Sequence, residues 1–125
     1  MGSKFQPEHS VAVLIVEDDS ELREILQMEL ESDGKTVLIA ADGEEALNKA
    51  QTLLPDVILL DIMIPKVDGF NVTRTLKKDK STRHIPILML TVAGRKKDII
   101  KGLDAGAIDY ITKPCLLYTS PSPRD

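Results

Sequence analysis

Five short apolar runs punctuate the chain: residues 11–16 (V-A-V-L-I-V), 36–41 (T-V-L-I-A-A), 57–60 (V-I-L-L), 85–90 (I-P-I-L-M-L) and 107–112 (A-I-D-Y-I-T). Short continuous apolar runs are what strands buried on both faces require. Between them, apolar residues recur at helical spacing. Leu22, Ile25, Leu26 and Leu30 mark a helix from a Ser20 cap to about Asp33, and Gly34 supplies its turn. Asp42-Gly43-Glu44-Glu45 opens a second helix, with Asp42 as cap and a stripe of Ala46, Leu47, Ala50, Leu53 and Leu54, ended by Pro55. A third runs from about Asp68 to Lys78 with Phe70, Thr73 and Leu76 inward. Residues 77–84 read as an exposed loop carrying a solvated His84. A fourth helix starts near Gly94-Arg95-Lys96-Lys97, turns Ile99, Ile100 and Leu103 inward and stops at Gly106. Strand–helix alternation predicts a parallel sheet with helices on both faces.

Four of the five strands end in polar groups: Glu17-Asp18-Asp19, Asp61, Thr91 and Lys113. Parallel strands bring these ends to one edge, where open α/β sheets bind ligands. A single acid at a strand end is commonly only a turn. The gathering of several is what points to a site. Two like charges about 4 Å apart repel by roughly 4 kcal/mol at an effective dielectric near 20. Carboxylates without thiol or imidazole suit a hard cation, Mg²⁺ above all, which offsets that repulsion. A carboxylate beside Mg²⁺, with an ammonium and a hydroxyl nearby, has the parts for phosphoryl transfer, Asp61 attacking phosphorus while Mg²⁺, Lys113 and Thr91 stabilise the oxygens. The cluster has no evident base and no pocket-forming insertion, which favours a switch over a metabolic enzyme.

Composition narrows the field. The 125 residues suffice for one domain with one core, and aromatics at 3% make that core aliphatic. A net charge of −4 argues against a general nucleic-acid surface. No apolar run reaches transmembrane length and no signal-peptide pattern is present. Met1-Gly2-Ser3 matches the start of a myristoylation signal, but Gln6 stands where Ser or Thr is needed. The single Cys115 excludes an internal disulfide and fits a reducing cytoplasm. Residues 1–10 read as a flexible leader, with His9 solvated.

Over residues 11–114 the chain resembles the receiver domain of two-component response regulators. The resemblance is carried by V-E-D-D at 16–19, D-I-M-I-P-K-V-D-G at 61–69, L-T-V-A at 90–93 and D-Y-I-T-K-P at 109–114. It implies an α/β, flavodoxin-like, doubly wound sheet of five parallel strands in the order 2-1-3-4-5. It implies that Asp61 accepts a phosphoryl group from a sensor histidine kinase or phosphotransfer protein. Mg²⁺ would be bound by Asp18, Asp61 and the Met63 carbonyl, with Glu17 acting through water. Thr91 and Lys113 would hold the phosphoryl oxygens, and Tyr110 would rotate inward as Thr91 shifts. An output domain or effector protein would receive the signal, with no direct nucleic-acid or membrane contact. Lys113-Pro114 would be a cis bond. A haloacid-dehalogenase-like phosphatase is the enzyme alternative, but it needs a second Asp two residues after the nucleophile, where Met63 stands. A pseudo-receiver serving only for binding would have lost an acid, the Thr or the Lys, and none is missing.

Three departures from the family pattern stand out. Val92 replaces a usually smaller Ala and is expected to narrow the mouth beside Asp61. Residues 115–125, C-L-L-Y-T-S-P-S-P-R-D, stand where the family has a loop and a last helix. Pro121 and Pro123 break any helix there, so these residues read as an irregular, non-native tail with the final helix missing. Uncovered aliphatic surface costs about 25 cal/mol per Å², so the expectation is a destabilised or self-associating domain, with Leu116, Leu117 and Tyr118 giving partial cover. Met63 and Ala93 look like positions that tune phosphoryl lifetime, and neither side chain can position a water. Slow self-dephosphorylation is therefore expected. Decay of the isolated phosphorylated protein checks this, and loss within seconds would refute it.

Overall fold

The structure is a computed structural model that describes residues 10–92 and 96–113, the side chains of Val92 and Lys113 excepted. Nine elements alternate: β1 (Ala12–Val16), α1 (Ser20–Ser32), β2 (Thr36–Ala40), α2 (Gly43–Leu53), β3 (Val57–Asp61), α3 (Gly69–Lys78), β4 (Ile87–Val92), α4 (Lys96–Ala105) and β5 (Asp109–Lys113). The strands form one parallel sheet in the order β2-β1-β3-β4-β5, as expected. The expected leader to residue 9, the expected tail from residue 114, the expected loss of a last helix and the Lys113-Pro114 bond all fall outside the described residues. Ser10, assigned to the leader, donates its hydroxyl to the Gly34 carbonyl at 3.0 Å.

Alternation along each strand splits the core in two. Leu14, Val16, Ile58, Leu60, Ile87 and Met89 face α2 and α3, meeting Ala46, Ala50, Phe70, Val72 and Leu76. Val13, Ile15, Leu59 and Leu90 face α1, where Leu26 is the buried anchor and Leu22 and Leu30 are half-buried. Both faces of the central strands are thereby apolar, which is why β1, β3 and β4 read as unbroken apolar runs.

Several boundaries and faces differ from the sequence expectation. Asp19, not Ser20, caps α1, accepting the N–H groups of Glu21 and Leu22 at 3.0 and 3.4 Å. β4 runs two residues later than expected and takes in Thr91; Pro86, with no N–H for the ladder, meets β3 only through its carbonyl, which accepts the Ile58 N–H at 3.0 Å. β5 likewise begins at Asp109 rather than Ala107 and extends through Lys113. Leu53 and Leu54 are half exposed at the end of α2, where Leu54 caps the helix in a left-handed conformation, φ +47, before the chain turns into β3.

On α4 the buried residue is Gly102, and a Cβ there would lie 3.1 Å from Met89. Ile100 (66% exposed) and Leu103 (43%) therefore turn outward, contrary to expectation. The aliphatic residues that read as an inner stripe sit about a third of a turn away from the helix's contact line.

The stretch 77–84 is not simply an exposed loop. Thr82 is fully buried and donates its hydroxyl to the Leu76 carbonyl at 2.7 Å. The Lys77 ammonium donates to the carbonyls of Arg83 (3.0 Å) and Ile85 (2.6 Å), and burial holds its pKa below the ordinary lysine value. Asp79 organises the turn by accepting the Ser81 N–H and hydroxyl, both at 2.9 Å. His84 is exposed, as expected.

Replacing Thr82 with Val keeps its shape and strips the Leu76 carbonyl of that donor. The expected cost is about 1–3 kcal/mol of unfolding free energy, read as a lower urea midpoint at unchanged slope.

Candidate functional site: an acidic rim at the strand ends

Register sets the rim. Val16 pairs with Leu60, so Glu17, the next residue, comes level with Asp61 at the end of β3. Asp61 pairs with Leu90, which puts Thr91 one step further along β4. Thr91 pairs with Thr112 and Val92 with Lys113, so the Lys113 main chain lies one step further again on β5. The four strand ends thus form a staircase along one edge of the sheet.

Three acids meet on that edge. A carboxylate oxygen from each of Glu17, Asp18 and Asp61 lies within 4.8 Å of the others. Glu17 is 1% exposed and Asp61 3%, whereas Asp18 faces solvent. The main chain supports the cluster. Glu17 Oε2 accepts the Asp19 N–H at 3.1 Å, and its carbonyl accepts from the Arg23 guanidinium at 2.8 Å. Asp61 Oδ1 accepts the Met63 N–H at 3.1 Å, which folds the chain back immediately after β3. Asp19 is spent on the α1 cap, so of the run Glu17-Asp18-Asp19 only the first two acids join the cluster.

The loop after Asp61 is shaped by glycine. Gly69 opens α3 with its N–H on the Ile62 carbonyl at 3.0 Å, and a Cβ there would stand 2.7 Å from the Asp61 carbonyl oxygen. Asp68 caps the helix by accepting the Asn71 N–H at 2.9 Å. Met63 projects outward at 65% exposed. Thr91 is buried at 3% and Tyr110 is 40% exposed. Of the residues expected at the site, Glu17, Asp18 and Asp61 are brought together, Met63 adjoins them through its main chain, and Thr91 and Tyr110 stand on the adjacent strands. The Lys113 side chain and Ala93 lie outside the described residues.

Sequence reasoning gave no role to Arg23, whose guanidinium holds the Glu17 carbonyl. Arg23 gave no signal beyond lying one turn into α1.

The donor set is all oxygen, with no imidazole or thiol in the described cluster, and fits a small hard cation. A doubly wound parallel sheet with a buried carboxylate rim at its strand ends defines the class. The family model of the response regulator receiver domain matches residues 13–118, and the chain belongs to that family, a regulatory rather than a catalytic unit.

The chain is 46% identical over 102 residues to the DNA-binding dual master transcriptional regulator RpaA of Synechocystis, covering 82% of this chain and 42% of that protein. It spans less than half the length of the curated relatives it matches. Among solved structures it is similar to the chemotaxis response regulator CheY4 of Vibrio cholerae, with a TM-score of 0.80, 34% identity, and coverage of 84% of this chain and 88% of that one. It is also similar to the receiver domain of the sensor histidine kinase PA1611 of Pseudomonas aeruginosa, which holds a magnesium ion in its active-site cleft. There the TM-score is 0.78 and the identity 33%, with 84% and 86% covered. Among the described residues no helix is long and apolar enough to cross a membrane.

Crowding of the acids has a measurable cost. With oxygens no more than 4.8 Å apart and an effective dielectric near 20, each pair repels by about 3.5 kcal/mol, less for exposed Asp18. Asp18→Asn is expected to raise the melting temperature of the metal-free protein. The gain should shrink at high salt, because the exposed charge is screened.

Proposed function

We propose that this domain is a phosphorylation-controlled switch whose acceptor is Asp61. The observation that carries the reading is the placement of Asp61: 3% exposed, at the carboxyl end of β3, with an oxygen within 4.8 Å of those of Glu17 and Asp18. The donor is the phosphohistidine of a sensor histidine kinase or phosphotransfer protein. An Asp61 oxygen forms the new bond to phosphorus. The phosphorus–nitrogen bond breaks, and its electron pair returns to the imidazole, which takes up a proton.

Asp18, Asp61 and the Met63 carbonyl would hold Mg²⁺, with Glu17 acting through a water. When bound, Mg²⁺ supplies the positive charge that offsets the crowded carboxylates and the phosphoryl oxygens. The Thr91 hydroxyl and the Lys113 ammonium take the phosphoryl oxygens on the other side. Both lie on strands further along the staircase than Asp61, which supports that assignment.

The same staircase supports a readout. Thr91 is buried next to the acceptor strand, and Tyr110 on β5 is exposed. Movement of Thr91 toward the phosphoryl group opens space into which Tyr110 turns. The surface it leaves carries exposed Ile100, Leu103 and Ile108 beside exposed Lys96, Lys97 and Lys101 on α4 and the turn after it. Exposed aliphatic residues beside these lysines suit the docking of an output domain or effector protein. A single cysteine in the whole chain fits work in the cytoplasm.

Incubation with acetyl phosphate or beryllofluoride, with and without Mg²⁺, tests the reading. Wild type is expected to be modified only with Mg²⁺, acetyl phosphate giving a base- and hydroxylamine-labile acyl phosphate and beryllofluoride a noncovalent adduct, while Asp61→Asn takes up neither. Equal labelling of Asp61→Asn would overturn the assignment.

A further inference from the structure

The phosphoacceptor chemistry leaves one contact unexplained, that between the start of α2 and the loop following Asp61. Gly43, the first residue of α2, is buried and donates its N–H to the Pro65 carbonyl at 3.1 Å. A Cβ on Gly43 would stand 1.9 Å from the Val67 carbonyl oxygen and 2.7 Å from its carbonyl carbon. That obstacle is main chain and cannot swing aside as a side-chain tip could. Glycine disfavours a helix by roughly 0.5–1 kcal/mol relative to alanine, so its use here goes with the close approach.

The residue between Pro65 and Val67 is itself unusual. Lys66 has φ +71, a left-handed conformation that non-glycine residues rarely hold unless the surroundings enforce it. Its ammonium reaches back to α2, 3.7 Å from Asp42 Oδ2 and 3.3 Å from Glu44 Oε1. Glu44, with Asp42, pushes the Lys66 pKa up. At the far end of the loop, Gly69 is pressed on the Asp61 carbonyl. The loop 62–68 is therefore gripped at both ends, and the bond from the Met63 N–H to Asp61 lies between the grips.

We propose that Gly43 and Lys66 are positioning residues for the acidic rim. The clasp they make between α2 and the loop orients the Asp61 carboxylate and the Met63 main chain, and so sets the affinity for the divalent ion. This rests on the phosphoacceptor reading above. Neither residue belongs to the acidic group of Glu17, Asp18 and Asp61.

The sign of the Lys66 effect separates the clasp from plain electrostatics. If Lys66 acted only as a positive charge in the neighbourhood of carboxylates, removing it would tighten cation binding. If it acts as a clasp, removing it loosens binding.

Titration calorimetry of Mg²⁺ into metal-free wild type, Gly43→Ala, Lys66→Ala and Lys66→Arg tests this, together with hydrogen exchange at the Met63 amide without metal. Gly43→Ala is expected to weaken Mg²⁺ binding about tenfold or more, the scale for losing a group that orients a ligand. Lys66→Ala should weaken it about threefold, within the range of an exposed ion pair, with Lys66→Arg restoring it. Both weakened variants should exchange the Met63 amide faster.

Wild-type or tighter affinity in Lys66→Ala overturns the role of Lys66. A Gly43→Ala protein that melts lower yet keeps wild-type affinity overturns that of Gly43. Should Gly43→Ala fail to fold, the two Lys66 variants decide. A wild type that takes up no Mg²⁺ overturns the phosphoacceptor reading instead, and equal Met63 exchange in all variants then overturns the clasp independently.

Discussion

Like charges held close together are the constraint around which this domain is built. Glu17, Asp18 and Asp61 come from two adjacent strands, and two of the three are almost fully buried. Such an arrangement persists only where rigid main chain fixes each acid. Parallel pairing of β1 with β3 supplies the rigidity, because its register, Val16 opposite Leu60, is what brings Glu17 level with Asp61. The aliphatic core thus secures the position of the acids, Val16, Leu60 and Ile62 anchoring the main chain on either side of them.

The acids are also held by donors close at hand in the chain. Met63 and Asp19 offer main-chain N–H groups two residues beyond Asp61 and Glu17. Each strand accordingly ends in a tight reversal that points its carboxylate at the rim, not along the strand. The third acid, Asp19, is drawn off to stabilise the first turn of α1, where its charge also suits the helix N-terminus. One short run of sequence therefore serves two purposes, and which acid does which follows from where the helix begins.

Glycines make the crowding possible. Gly43 and Gly69 stand where one segment of main chain crosses another with no room for a Cβ. The loop carrying Met63, Pro65 and Lys66 is consequently pressed between α2 and the end of β3. A left-handed Lys66 in that loop shows that conformational ease has been given up for placement. The same economy recurs on α4, where Gly102 lets the helix lie on Met89 and leaves Ile100 and Leu103 to the solvent.

Much of this was legible in the chain. Unbroken apolar runs of four to six residues read as strands covered on both faces, their alternation with helical patterns pointed to a parallel sheet, and parallel strands place Asp18, Asp61 and Thr91 on one edge. These follow from local periodicity and a topological rule, which need no knowledge of distant contacts. The sequence could not say which of Asp19 and Ser20 caps α1, that Thr82 is buried, that Ile100 and Leu103 face outward, or that Gly43 meets the loop after Asp61. Each depends on which surface a neighbouring element presents: α4 turns its glycine inward because Met89 fills the space beneath, and Gly43 matters because Val67 passes over it. Periodicity along a chain determines which faces are apolar. Only the packed structure decides which face is used, because that choice is made by the shape of the partner.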